Sequence, residues 1–286
     1  MRQAITDDIV LVRADNPSPM TFTGTNSYVV GNESVVVIDP GPLSNAHLDA
    51  LLAEIAGRPV DGIIVTHAHL DHSPLARPLA EKAGAKVYAF GRAEAGRSDV
   101  MTDLAARGLV RGGEGVDHDF DPDVIVADGD TILGMTVHHT PGHMGNHICL
   151  ERGDIMFTAD HIMGWATSMV SPPDGDLSDF MASCRKMLTI PSTLYLPGHG
   201  DPVTEPHDRV RWLIAHRLER ETQIMEALTD GPADADALTR RIYADVQESL
   251  WPAAKRNVIA HLVDLTKQNR ASPEGELTPT AKFFRL

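Results

Sequence analysis

The sequence predicts an α/β domain over residues 1–206, followed over 207–286 by a linker helix and a small helical domain. Three observations carry this. Short β-branched runs bounded by Gly, Pro and Asn alternate with amphipathic helical stretches through the first part. After about residue 206 the texture turns helical, with apolar residues three or four apart and charges between them. Many of the 14 histidines sit beside Gly, Pro, Asp or another His, in THAHLDH, TPGHMGNH, ADH and LPGHG. Metal ligands favour such strand-end turns, because loops leaving a rigid sheet are where sites are assembled.

The elements follow in order. DDIVLVRA, TNSYVVG and SVVVIDPG read as strands. LSNAHLDALLAEIAGR has helical spacing, with Ser44 as its N-cap. DGIIVT is a short strand that delivers the chain into HAHLDH, and SPLARPLAEKAG is the next helix, ending near Gly84. KVYAF is a strand. Residues 91–123 are less regular: a helix around SDVMTDLAARG, then the acidic turn GGEGVDHDFDPD, are expected as a surface excursion. DVIVADGD, TILGMTVHHT, HICLERG and DIMFTAD resume the strands, and the helix LSDFMASCRKML with the strand TLYLPGHG closes the pattern. HDRVRWLIAHRLERETQIMEAL, DADALTRRIYA and AAKRNVIAHLVDLTKQN are three further helices, and ASPEGELTPTAKFFRL places a Gly turn between two extended pieces. Helix–helix–helix–hairpin is the order of a winged helix. The boundary falls near residues 206–220, where the long helix links the parts.

Composition narrows the function classes. With 42% hydrophobic and 23% charged residues the chain reads as ordinary globular protein. It has no apolar run near the roughly 18–20 residues that span a membrane. The N-terminus lacks the basic and apolar regions of a secretory signal. Cys149 and Cys184 make no disulfide framework and read as small core residues, so a cytoplasmic location is expected. The formal charge is −15, and residues 1–207 hold all of the excess, 13 basic against 28 acidic side chains. That disfavours loose binding to phosphate backbones, although bound cations would offset it locally. Nothing in the pattern specifies an oligomeric state.

HAHLDH sets His67, His69, Asp71 and His72 within six residues directly after a strand. Imidazole nitrogen and carboxylate oxygen suit zinc, and the same donors accept manganese or iron. Four such groups so close must diverge, and two ions solve the problem: two histidines turn to one, Asp71 and His72 to the other. Further ligands must come from distant strand ends. The candidates are His143 in TPGHMGNH, Asp160 in FTAD and His199 in LPGHG, and a carboxylate such as Asp160 can bridge two cations.

The ordered set HxHxDH, PGH, strand-final Asp and PGHG resembles the metallo-β-lactamase superfamily. NPSPMTFTGTNSYVVG, VIDPGP, THAHLDHSP, DHIMGWATSMVSPPDGDL and HRLERETQI extend the likeness over essentially the whole chain, to the branch around β-lactamase-like protein 2. The resemblance implies an αββα sandwich with the metals at one edge, and a C-terminal winged-helix-like domain. It implies a first site of His67, His69 and His143, a second of Asp71, His72 and His199, and Asp160 between them. It also implies that Asp39 in VIDPG braces the ligand loop.

The chemistry expected of two zinc ions is hydrolysis by a metal-bound hydroxide, which Asp71 orients or forms by taking a proton from the bound water. Around the ligands, Thr25 and Asn26 are expected to approach the pocket, and His147 to support His143 or to be a plain strand residue. His161 and Trp165 are candidates for the pocket rim, with loop packing as the alternative for His161. The SPPDGDL loop resembles a family position at the pocket rim, with a plain tight turn at Pro172–Pro173–Asp174–Gly175 as the alternative. His138 and His139 read as ordinary strand histidines, and Arg209, Arg211, Arg217 and Arg220 as a solvated helix face. The expected substrate is a small ester, thioester or lactone. Single-stranded RNA, cleaved by an endoribonuclease, is the alternative that the resemblance implies; a metal-holding nucleic-acid-binding module is the non-enzymatic one.

Overall fold

The computed structural model describes residues 1–108, 115–278 and 280–286. Residues 109–114, which include the first three residues of the expected acidic turn, therefore lie outside the described residues. The first sheet runs in chain order, β1 (Arg2–Thr6), β2 (Ile9–Arg13), β3 (Asn26–Val30), β4 (Val35–Ile38), β5 (Val60–Ile64), β6 (Val87–Ala89) and β7 (Val124–Ile125). Its first four strands pair antiparallel. The crossovers through α1 (Asn45–Ile55) and α2 (Ala76–Ala83) make the next pairings parallel, and α3 (Asp99–Ala106) lies in the excursion before β7. The strand β1 was not among the sequence expectations; MRQAIT is too polar to show a buried face, and its residues are exposed or half-exposed on the sheet edge.

The second sheet has the order β12 (Leu194–Pro197), β11 (Ile155–Ala159), β10 (Ile148–Arg152), β9 (Met135–His139), β8 (Thr131–Ile132). TILGMTVHHT, expected as one strand, is a hairpin. Leu133 and Gly134 both take positive φ, 49° and 77°, which is the backbone of a two-residue turn matching the twist of its strands. The helix α4 (Leu177–Met187) connects β11 to the parallel β12, with the Asp176 side chain accepting the Ser178 N–H at its start.

Alternation along each strand assigns its faces. Ile9 and Leu11, Tyr28 and Val30, Val36 and Ile38 turn inward to meet Ile148, Leu150, Phe157 and Leu196 of the second sheet. Their neighbours Val10, Val12, Val29, Val35 and Val37 turn outward against Leu48, Leu51 and Leu79 of α1 and α2. Cys149, Met156 and Tyr195 face the other way, against Phe180 and Cys184 of α4. Each fully buried aliphatic side chain contributes about 1.5–3 kcal/mol relative to exposure, so these two-sided strands hold the αββα layers together.

The chain continues into α5 (Pro206–Ala227), α6 (Ala235–Ile242), α7 (Trp251–Lys267) and the antiparallel pair β13 (Ala271–Pro273) and β14 (Phe283–Arg285). An isolated bridge between Ala233 and Phe283 adds to the hairpin. Val210 and Leu213 of α5 join the core beneath the second sheet, while Ile224 and Ala227 join a separate core with Leu238, Val258, Leu262 and Phe283. One helix thus belongs to both parts.

Candidate metal centre

Five strand ends deliver the side chains. Asp39 follows β4, the THAHLDH segment follows β5, His143 lies between β9 and β10, Asp160 follows β11, and His199 follows β12. Asp39 and Ala159 take left-handed backbone conformations, φ 50° and 42°, a strained choice for alanine that turns the chain sharply at the site. Among the described residues three overlapping groups have donor atoms within 4.8 Å of one another: His67, His69, His143; His67, His72, Asp160; and Asp71, His72, His199. All seven side chains are buried. Asp160 joins the groups, its Oδ1 3.4 Å from His72 Nε2 and its Oδ2 3.3 Å from His199 Nε2 and 3.6 Å from His143 Nε2. Asp71 Oδ2 lies 3.0 Å from His199 Nε2 and 3.3 Å from His72 Nε2. The closeness explains Gly198: a Cβ there would sit 2.4 Å from Asp160 Oδ1 and 2.8 Å from His72 Cε1.

The outward nitrogens are held. His72 Nδ1 meets Asp39 Oδ2 at 2.9 Å, and Asp39 also accepts the Thr66 N–H at 2.8 Å and the Thr66 hydroxyl at 2.7 Å. His143 Nδ1 meets the Met169 carbonyl at 2.8 Å, and His199 Nδ1 the Gly24 carbonyl at 3.2 Å. A ring N–H donated outward leaves Nε2 as a lone pair aimed inward. His143 Nε2 stands 3.0 Å from His69 Nδ1, and His72 Nε2 3.4 Å from His199 Nε2. Lone pairs at such separations repel unless a proton or a cation lies between them. His67 Nε2, Asp71 Oδ1 and Asp160 Oδ1 are buried without a hydrogen-bond partner among the described residues. This donor set fits divalent cations.

Electrostatics divides the cluster. Burial pushes His67 well below its ordinary range, His69 down to about 3, and His143 down as well, so this triad is neutral and ready to ligate. Burial opposes charge on His72 and His199 too, but the carboxylates outweigh it. Asp71 and Asp160 hold His72 well above its ordinary value, and Asp160 leads in holding His199 up to about 10. Burial would raise Asp71 and Asp160, and the neighbouring imidazoles reverse it and keep both low. The two carboxylates therefore demand positive charge, which protons supply until a cation displaces them.

The other expected residues divide. Thr25 Oγ1 donates to Asp71 Oδ2 at 3.4 Å, and Thr25 bridges to His199 through the backbone. Asn26 is fully buried and does not reach the cavity: its Nδ2 donates to the Pro197 and Gly200 carbonyls at 3.0 and 2.8 Å, which braces the loop carrying His199. His147 is an inner residue bonded to Thr140 Oγ1 at 2.9 Å rather than to His143. His161 is fully buried against Phe180, not on the rim. Trp165 does line the cavity and stacks on Phe22, ring centroids 4.8 Å apart. The tight turn at Pro172–Gly175 is present, with the Gly175 N–H donating to Ser171 O at 2.8 Å and Asp176 N–H bracing Gly142 O at 2.9 Å.

Of the arginines expected on a solvated face only Arg211 stays there, paired with Asp208 at 2.7 Å. Arg209 donates to the Met163 and Ala166 carbonyls at 2.7 and 2.6 Å. Arg217 is 2% exposed and donates to the Ser168 carbonyl and to Asn257 Oδ1. Arg220 lies over the Tyr243 ring. Charge alternation along α5 concealed this, because the acceptors are carbonyls of the loop after Asp160, far away in sequence.

Against the cluster lies a cavity of about 270 Å³, lined by His69, His143 and Asp160 and also by residues of the helical part, Tyr243, Val246, Leu250, Ala253 and Asn257. No sequence expectation included this wall.

The metallo-β-lactamase superfamily model matches residues 20–199, well over half of the chain. The chain belongs to the metallo-β-lactamase superfamily. It is a hydrolase of that superfamily, and the β-lactamase-associated winged helix domain matches residues 235–279. A Drosophila melanogaster relative, a β-lactamase-like protein 2 homolog, is 33% identical over 283 residues, covering 93% of this chain and 90% of the relative. An atrochrysone carboxyl ACP thioesterase from Aspergillus fumigatus is 28% identical over 278 residues, covering 88% of this chain and 79% of that one. The crystal structure of a metallo-β-lactamase family protein from Thermus thermophilus superposes with a TM-score of 0.79 at 22% identity, covering 99% of this chain and 100% of the other, and shares the fold.

Proposed function

We propose that this metallo-β-lactamase-fold chain hydrolyses a small ester, thioester or lactone with two divalent ions. Zinc is the ion the His/Asp donors suit best, and manganese and iron are accepted by the same set. The observation that carries the reading is the convergence of seven buried His and Asp side chains beside a cavity bounded by both parts of the chain. His67, His69 and His143 would hold one ion and Asp71, His72 and His199 the other, with Asp160 placed to serve either. Residues 1–206 form the catalytic unit, and 207–286 the linker helix and winged helix. Two free, buried cysteines support a cytoplasmic assignment, and among the described residues no helix is long and apolar enough to cross a membrane. The thioesterase name of the Aspergillus relative supports an acyl substrate.

When bound, such ions supply Lewis acidity and make a water acidic near neutral pH. The chain supplies the rest. Asp39 and the Met169 carbonyl hold His72 and His143 in the ligating tautomer. Thr25 orients Asp71 through its Oδ2, leaving Oδ1 to receive the proton of the attacking water. The water oxygen adds to the acyl carbon, the C–S or C–O bond breaks, and the leaving group takes the proton. The loop of Met163–Met169, held by Arg209, lines the cavity beside the site.

The test compares chelated and zinc-reconstituted protein on a panel of acyl thioesters and on labelled single-stranded RNA. The reading expects thioester turnover that needs metal and falls about a hundredfold or more in Asp71→Asn. Cleavage of RNA without thioester turnover would replace it with the nuclease reading.

A further inference from the structure

The cavity beside the metal centre has an unusual lining. Beyond its ligand residues its wall is mostly apolar, with Met20, Met163, Trp165 and Met169 from the catalytic part and Val246 and Leu250 from the helical part, while Ser171, Asp174 and Asn257 are among its polar neighbours. Among the described residues no lysine or arginine lines it. A phosphodiester or a carboxylate would find no cation there beyond those at the metal site and would meet the Asp174 carboxylate, whereas the thioether and hydrocarbon groups that make up most of the wall offer apolar contact. Its volume, about 270 Å³, is just below the roughly 300–1,000 Å³ of small-molecule sites, so it takes a slim group and not a folded macromolecule. Leu250 is 41% exposed, an apolar side chain held at the cavity without a cover.

Resting on the hydrolase reading, we infer that this cavity binds the apolar acyl chain of the substrate, and that Val246 and Leu250 make the helical domain a specificity element. The substrate class is then a medium-chain acyl thioester rather than an acetyl or a charged one. The placement explains why the winged helix is docked with its α6–α7 connection over the site. Arg217 of α5 and Asn257 of α7 fix that connection against the loop after Asp160. Exchanging water for hydrocarbon walls favours each added methylene by about fourfold until the cavity is filled.

The test measures binding apart from turnover. The probes are the 2-oxodecyl and 2-oxopropyl thioethers of N-acetylcysteamine, which cannot be hydrolysed, titrated calorimetrically into the zinc-loaded full chain. The long analogue is expected to bind at least thirtyfold tighter than the short one, with a negative heat-capacity change. Leu250→Asp and, on another element, Met20→Asp each reduce that ratio at least fivefold, and Leu250→Met restores it. Two variants on different elements keep a folding defect in one from deciding the result. Equal affinities of the two analogues, or a ratio that survives both aspartates, would overturn the inference, and hydrolysis of acetyl thioester in the same preparation would leave the hydrolase reading standing. Chain-length-selective binding with no hydrolysis of any thioester would do the reverse.

Discussion

Arg217 Nη1 donates to Asn257 Oδ1 at 2.8 Å, and the same oxygen accepts the Val170 N–H at 3.3 Å. One amide thus ties the linker helix, the last helix and the loop that follows Asp160. Asn257→Ala removes an acceptor from a buried guanidinium and from a backbone donor, which costs about 1–3 kcal/mol. Urea unfolding is expected to show that loss. Thioester KM is expected to rise, because the Met163–Met169 loop and the α6–α7 wall lose their common anchor.

Asp39 makes no contact with substrate space in this account; it acts through His72. Asp39→Asn keeps the shape and removes the charge that fixes the imidazole. Zinc affinity of the second site is expected to fall about 10- to 100-fold, with melting of the metal-free protein little changed. Competition with a fluorescent chelator reads this directly. Unchanged affinity would mean that the Thr66 contacts alone position the loop.

Gly198 gives a sharper steric prediction. The added methyl of Gly198→Ala would overlap Asp160 Oδ1, at 2.4 Å, and press on His72. The variant is expected to fold and to lose the second metal equivalent. Full metal content would contradict the packing described here.

His261 of α7 offers a pH test away from the centre. Burial, helped by Arg217, pushes its pKa down to about 3, and neither ring nitrogen has a hydrogen-bond partner among the described residues. The unfolded chain titrates near the ordinary value of about 6.5. Between those values the unfolded state binds the extra proton, so stability falls as pH drops through that window. From pH 7 to pH 5 this one group costs about 2 kcal/mol. Urea midpoints of His261→Gln at the two pH values should differ by correspondingly less than those of the parent chain.

The residues legible in the sequence were those whose partners are local or whose chemistry is rare. Ser44, seen as an N-cap, accepts from the His47 N–H, and the helix that opens after it is where it was expected. His67, His69, Asp71 and His72 could be read together because a strand end and six residues bring them together, and His143, Asp160 and His199 because they too follow strands. The αββα layers came from the resemblance and not from the strands themselves, because β2, β3 and β4 carry apolar residues on both faces. What stayed hidden depended on docking. Val246, Leu250 and Asn257 form a site wall only because α5 seats the helical domain against the loop after Asp160. Arg217 has the spacing of a surface residue and is buried because carbonyls happen to meet it. Asn26, adjacent to the expected Thr25, turns to the opposite side of its strand, as the two-residue period of a strand requires, and so serves the His199 loop.

The central claim is that the seven-residue cluster holds two ions that hydrolysis requires. The most direct measurement adds zinc stepwise to chelated protein and follows octanoyl-thioester hydrolysis together with bound metal. The account predicts that no activity precedes metal binding and that activity saturates at about two ions per chain, matching two donor groups around a shared carboxylate. Activity that persists in the chelated protein, or metal that binds without restoring hydrolysis of any acyl substrate, would contradict it.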